Sequence, residues 1–103
     1  MTHMQSALEI SDDHPSYAGH FPHFPVLPGA VLLDEMLRII EHARGIDLTQ
    51  WHIASAKFLD AVRPRDKLVV EHESPGAGMI RFAIRAGERK VAGGTLSQPG
   101  KRP

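Results

Sequence analysis

The chain contains no cysteine. That absence excludes disulfides, thiolate zinc sites and a cysteine nucleophile. Nor is there an excess of charge of either sign: twelve Lys and Arg balance twelve Asp and Glu, and the sequence pI is about 7.1. A nucleic-acid platform normally carries a basic excess, so no nucleic-acid partner is expected. No stretch approaches the roughly 18 consecutive apolar residues of a membrane span, so no membrane partner is expected either. Met1 to Ile10 lacks the basic and apolar regions of a secretory signal, which leaves a cytoplasmic location as the expectation. Internal repeats and low-complexity tracts are also missing. What is present is a 103-residue chain, 42% hydrophobic. It is rich enough in apolar residues for a core and of a size for one domain over residues 1–103. A domain this small buries only a modest part of its surface, which favours oligomerisation.

Punctuation by Pro and Gly divides the chain. Ser6 to Ile10 is a short strand candidate. Ser11 to Pro28 reads as a loop, because Pro15, Gly19, Pro22, Pro25 and Pro28 forbid a regular helix or a central strand. Ala30 to Arg44 then runs without Gly or Pro, and Gly45 stands where a helix C-cap belongs. Apolar residues cover most of this helix's circumference, from Ala30, Val31, Leu32 and Leu33 to Ile39, Ile40 and Ala43, so burial on most sides is expected. Beyond it the period changes to two. His52 to Leu59, Lys67 to Ser74, the alternating Ile80, Phe82 and Ile84, and Arg89 to Ser97 are strand candidates. Turns at Arg63-Pro64-Arg65-Asp66, Pro75-Gly76-Ala77-Gly78 and Gly87-Glu88 separate them. One apolar helix followed by a meander is an α+β pattern, and an antiparallel sheet curled around the helix would bury it.

The chemistry is concentrated between Gly19 and Asp34. Prolines stiffen the loop that carries His20, which lowers the entropy lost on fixing a side chain for catalysis. Pro28-Gly29 starts the helix and leaves its first N–H groups unpaired. With the helix dipole, those groups can hold a thioester carbonyl as charge develops on its oxygen. Asp34 lies about a turn and a half into the helix, with Ala30, Val31 and Leu37 at i−4, i−3 and i+3. Apolar surroundings raise a carboxyl pKa and suit a general acid.

These residues resemble the motif of the β-hydroxyacyl-ACP dehydratases, the FabA/FabZ family: His20-Phe21-Pro22, then Pro25-Val26-Leu27-Pro28-Gly29, then an acid fourteen positions after the histidine. Lys57-Phe58 and Val62-Arg63-Pro64-Arg65-Asp66-Lys67-Leu68 are similar to later family motifs, and Lys90-Val91-Ala92 with Leu96 to its last strand. The likeness covers about residues 8 to 97. It implies a hotdog fold, one long buried helix wrapped by a curved antiparallel sheet. It also implies dehydration of a 3-hydroxyacyl thioester to the trans-2-enoyl product, in fatty acid or polyene-type biosynthesis. By resemblance His20 removes the α-proton, and Asp34 from a partner subunit helps the β-hydroxyl leave. The Gly29 N–H binds the thioester carbonyl, and Pro28, Phe21 and Tyr17 border the substrate. No cofactor is implied; the substrate rides on the phosphopantetheine of acyl carrier protein, and the protein is a homodimer or higher oligomer. Brevity and the Leu32-Leu33-Asp34 stretch are similar to small dehydratases of aryl polyene and related pigment pathways.

Three departures stand beside the likeness. The chain begins close to the motif, without the leading helix and strand of longer members. His23 replaces the glycine that usually follows His-Phe-Pro. Arg38 occupies a position that is often Gln, and an i,i+4 Asp–Arg pair favours the ionised carboxylate. Plainer readings remain for single residues. Asp34 could be a buried acid neutralised by Arg38, and Tyr17 could be ordinary packing. His20 and His23 lack an evident third ligand, so no metal site is expected. Arg63, Arg65, Lys67, Arg85, Arg89 and Lys90 read as a solvated face, with attraction of an acidic carrier protein as the sharper alternative. At the level of function, the rivals are a thioesterase on the same fold and a non-catalytic hotdog subunit that binds acyl carrier or completes a heteromer.

Overall fold

The computed structural model describes residues 3–10 and 27–100. The elements are β1 (His3–Leu8), α1 (Gly29–Arg44), β2 (His52–Phe58), β3 (Leu68–Glu73), β4 (Met79–Ala86) and β5 (Arg89–Ser97). The five strands form one antiparallel sheet in the order β1-β3-β4-β5-β2. Alternation sets its faces. Leu68, Val70 and His72 of β3 point inward, as do Ile80, Phe82 and Ile84 of β4, while Arg81 is exposed and Arg85 sits at the rim. Val91, Ala92 and Leu96 of β5 complete the floor of the core, and Leu32, Met36 and Ile40 of α1 close it from above.

The strand and helix expectations hold with small shifts at the ends. β1 starts earlier than Ser6, because its pairing with β3 runs from His3↔Glu73 to Leu8↔Leu68. The Arg63–Asp66 turn closes as expected: the Asp66 N–H donates to the Arg63 carbonyl at 3.1 Å, and the Asp66 carboxylate accepts from the Arg63 N–H at 2.9 Å. One expectation is corrected. α1 is not buried on most sides. Burial is complete only at Leu32, Met36 and Ile40, every fourth residue, and Ala30, Asp34, Arg38 and His42 are exposed. A single sheet covers one stripe of a helix, and among the described residues nothing further covers the other.

Gly45 ends α1 in the left-handed region, φ 64 and ψ 36, and its N–H donates to the Glu41 carbonyl at 2.8 Å. A Cβ there disfavours this conformation, so Gly45→Ala should lower stability by about 1 kcal/mol. Urea unfolding of the variant against the wild type checks this; an unchanged midpoint would show that the cap does not hold the helix end. Near the same end lies the one buried ionisable side chain among the described residues. His72 is 1% exposed, and its Nδ1 accepts from Arg44 Nε at 2.9 Å. Its Nε2 lies 3.5 Å from Ser6 Oγ. Burial first, then the Arg44 charge and His3, push the imidazole pKa down to about 4. A ring that accepts at Nδ1 is neutral with its proton on Nε2. His72 therefore joins the C-terminal end of α1 to β3 and β1 through polar contacts that require the neutral form.

Candidate active site

α1 begins where it does because Pro28 is extended, φ −59 and ψ 142, and turns its carbonyl into the helix. That carbonyl accepts from the N–H groups of Val31 and Leu32, each at 3.1 Å. No side chain caps the helix. Among the described residues nothing accepts from the N–H of Gly29 or Ala30. The two donors stand at the positive end of a 16-residue helix, an arrangement suited to an oxygen that acquires negative charge.

The position of this helix start is fixed from the neighbouring loop. The Leu27 N–H donates to the Val62 carbonyl at 2.8 Å, and both side chains are buried. The loop that carries Val62 is in turn held by Arg89. Its Nη1 lies 2.9 Å from the Ala61 carbonyl and 2.9 Å from Asp60 Oδ2, and its Nη2 lies 3.0 Å from Asp66 Oδ2. The Arg89 hydrogen bond, with the Ala61 N–H, holds the Asp60 carboxyl below its ordinary range. Arg89 is thus a tie inside the fold, and Arg85 likewise pairs with Glu71 at 2.6 Å. The reading of both as members of a solvated face is corrected, because acidic residues on adjacent loops and strands meet them. Arg63, Lys67 and Lys90 are exposed, as that reading expected.

Asp34 sits on the outer side of α1, with its side chain 60% exposed and Oδ2 3.1 Å from Arg38 Nη2. Among the described residues the expected apolar surroundings are absent. Two residues along a helix turn the side chain by about 200°, so a buried Leu32 and a buried Met36 put Asp34 opposite the core. The reading of Asp34 as a buried acid neutralised by Arg38 fails for the same reason: the pair exists, but at the surface. His20, Phe21 and Tyr17 lie outside the described residues, as do Pro22, His23 and Pro25. Of the expected site, Pro28, Gly29 and Asp34 are described. They share the first turns of one helix, with Asp34 facing away from the core that α1 covers.

Sequence reasoning passed over Phe58. A Cβ placed on Gly29 would lie 2.7 Å from Cε1 and Cζ of the Phe58 ring and 3.2 Å from Cε2. In the sequence Phe58 stands out only as part of a Lys-Phe pair; the available signal is a glycine at a helix start, which often marks close approach of another group. β2, which carries Phe58, is an outer strand. Among the described residues it pairs with β5 alone, and all seven of its residues are exposed.

One helix laid on a single antiparallel sheet of this order is the hotdog fold. The chain of the structure described as the dehydratase heterocomplex ApeI:P from Xenorhabdus doucetiae superposes with a TM-score of 0.72 at 19% identity, over 92% of this chain and 85% of that one. The fluoroacetyl-CoA thioesterase FlK superposes at 0.67 with 14% identity, over 92% and 83%. The chain belongs to the ApeI-like family, described as ApeI dehydratase, whose profile matches residues 1–95. It is 35% identical over 89 residues to the 3-hydroxyacyl-[acyl-carrier-protein] dehydratase FabZ of Variovorax paradoxus, covering 75% of this chain and 59% of that protein. Against the FabZ of a Polaromonas species it is 31% identical over 99 residues, covering 82% and 68%. The chain therefore spans less than two thirds of the Variovorax relative's length.

Proposed function

We propose that this protein dehydrates 3-hydroxyacyl thioesters carried on acyl carrier protein, giving the trans-2-enoyl thioester in fatty acid or polyene-type biosynthesis. The observation that carries the reading is the uncapped start of α1, with the Gly29 N–H open, five residues before Asp34 and nine after His20. In this scheme His20 takes the proton from the α-carbon. The electron pair left behind moves toward the thioester carbonyl, whose oxygen the Gly29 N–H receives. Asp34 gives a proton to the β-hydroxyl, the C–O bond breaks, and water leaves as the double bond forms. Phe21, Tyr17 and Pro28 border the acyl and pantetheine path. The turnover leaves the α-proton on His20 and Asp34 ionised; passage of that proton through solvent back to Asp34 closes the cycle, and the scheme requires no metal or organic cofactor. The FabZ relatives are named for this reaction.

We further propose that the working unit is at least a homodimer. Asp34 faces away from the core that α1 covers, so the face that carries it is open to a second subunit. β2 offers an open strand edge with Ile53 and Phe58 exposed on it and Leu59 just beyond; such an edge attracts a further strand. The ApeI neighbour is described as a heterocomplex, which makes a second, different hotdog chain the alternative occupant.

Incubation with 3-hydroxyacyl-ACP, followed by mass spectrometry of the carrier, tests the activity. The expected result is loss of one water with the acyl group retained. Loss of the whole acyl group would replace the dehydratase by a thioesterase, and an unchanged carrier would favour the non-catalytic subunit.

A further inference from the structure

Among the described residues nothing polar fixes the first residue of α1. Pro28 has no side-chain acceptor to offer, and the Leu27 to Val62 hydrogen bond holds the chain one residue before the cap. What meets Gly29 itself is the ring of Phe58. The backbone of Phe58 is held firmly: it pairs with Ala92 of β5, and the next N–H, that of Leu59, donates to the Val91 carbonyl at 2.9 Å. From this anchored position the ring reaches the space that a Cβ on Gly29 would occupy. The ring is also 49% exposed as a residue, so it is not simply core filling. A large aromatic left half-open has a cost in water that a smaller residue would avoid.

We propose that Phe58 is a positioning residue for the Gly29 N–H: its ring sets how closely the start of α1 approaches the sheet, and thereby the direction in which that donor points. The proposal rests on the dehydratase reading for its catalytic consequence, though the contact itself does not. Gly29 is required because of Phe58 and not because of its backbone dihedrals, since its φ is not in the left-handed region and a Cβ there would meet the ring.

The test is a size-swap cycle of wild type, Gly29→Ala, Phe58→Leu and the double variant, with kcat, KM and melting temperature measured for each. Alanine keeps the backbone N–H, so a loss in Gly29→Ala reports displacement alone. Misplacement of a reacting group by about 1 Å can reduce the rate about 10²-fold, and a drop of that order in kcat is expected, with KM changed far less. Phe58→Leu removes the ring atoms nearest Gly29 and should lower kcat about tenfold, a part of that misplacement loss. The double variant should exceed Gly29→Ala, because the added methyl now has room. Single losses that simply multiply, or a Gly29→Ala protein with wild-type kcat, would overturn the proposal. If Gly29→Ala does not fold, Phe58→Leu decides: kcat lost at constant KM and melting temperature supports positioning, and unchanged kcat refutes it. Amide NMR of Phe58→Leu separates this from failure of the dehydratase reading. A shift of the Gly29 amide is expected even if the wild type releases no water from any carrier-bound substrate, and an unmoved amide refutes the contact.

Discussion

Mixing two inactive proteins, His20→Ala and Asp34→Ala, and allowing their subunits to exchange should restore about a quarter of wild-type activity under the symmetric dimer rule. Each variant alone should be strongly impaired, since a general acid or base is typically worth about 10² to 10⁴ in rate. The recovery follows from where Asp34 sits. Its carboxylate is on the side of α1 opposite Leu32 and Met36, 60% exposed in the single chain, so it is presented outward to whatever covers that face. If a second copy covers it, each site draws His20 from one subunit and Asp34 from the other. Random exchange puts half of the molecules into mixed dimers. In each of these one site has both residues and the other has neither, which gives the quarter. The experiment is feasible because Asp34→Ala should remain folded. Its ion pair with Arg38 is an exposed i,i+4 contact, worth only about 0.3–0.5 kcal/mol, and not a buried pair whose disruption would cost several times that. Folded variants that show no recovery on mixing would place the two residues within one chain, or remove one of them from the reaction.

The parts of the molecule legible in the sequence are those governed by local rules. Gly45 as a left-handed cap, the turn closed by Asp66, and the inward set Ile80, Phe82 and Ile84 each follow from a residue and its near neighbours. What was not legible depends on which side of an element meets something distant. The apolar neighbours of Asp34 in sequence suggested apolar surroundings, yet the stripe that α1 buries is Leu32, Met36 and Ile40, which leaves Asp34 on the opposite side. Arg89 and Arg85 looked like surface charge because their partners, Asp60, Asp66 and Glu71, are remote in sequence. The exposure of all of β2 has no signature in its composition; it follows from the strand's place at the end of the sheet order. For the candidate site, Pro28, Gly29 and Asp34 are named by the likeness of the Gly19–Asp34 stretch to the FabA/FabZ motif. The meeting of Gly29 with Phe58 required the fold, since the two residues lie on different elements. His72 could have been found: the alternation Leu68, Val70, His72 already assigns it to the inner face.

Among the described residues that buried histidine carries the largest expected response to pH. In the unfolded chain an imidazole takes up a proton near pH 6.5; in the folded protein the His72 value falls to about 4, chiefly through burial and then through the Arg44 charge. Between those two values the unfolded state binds the proton and the folded state does not. Stability from this group is therefore fully present above about pH 6.5 and is lost progressively as pH falls toward 4, where both states are charged. The gap of about two and a half pH units corresponds to a loss of up to about 3 kcal/mol, a large part of the stability of a domain this size. Below that window the carboxylates held by arginine, Glu71 with Arg85 and Asp60 with Arg89, begin to add to the loss, since their values lie below the ordinary range. Protonation of His72 would also turn the Nδ1 acceptor into a donor facing Arg44, and the link between α1 and β3 would open. Urea unfolding of the wild type and of His72→Asn at intervals from pH 8 to pH 4.5 isolates the effect. Asparagine places an amide oxygen near the former Nδ1 and carries no proton equilibrium in this range. The variant should be weaker at pH 8, because the shorter side chain leaves space, and its stability should fall less steeply between pH 6.5 and pH 4.5. Parallel curves for the two proteins would mean that His72 takes up its proton equally in both states, and that the Arg44 contact does not hold the ring neutral.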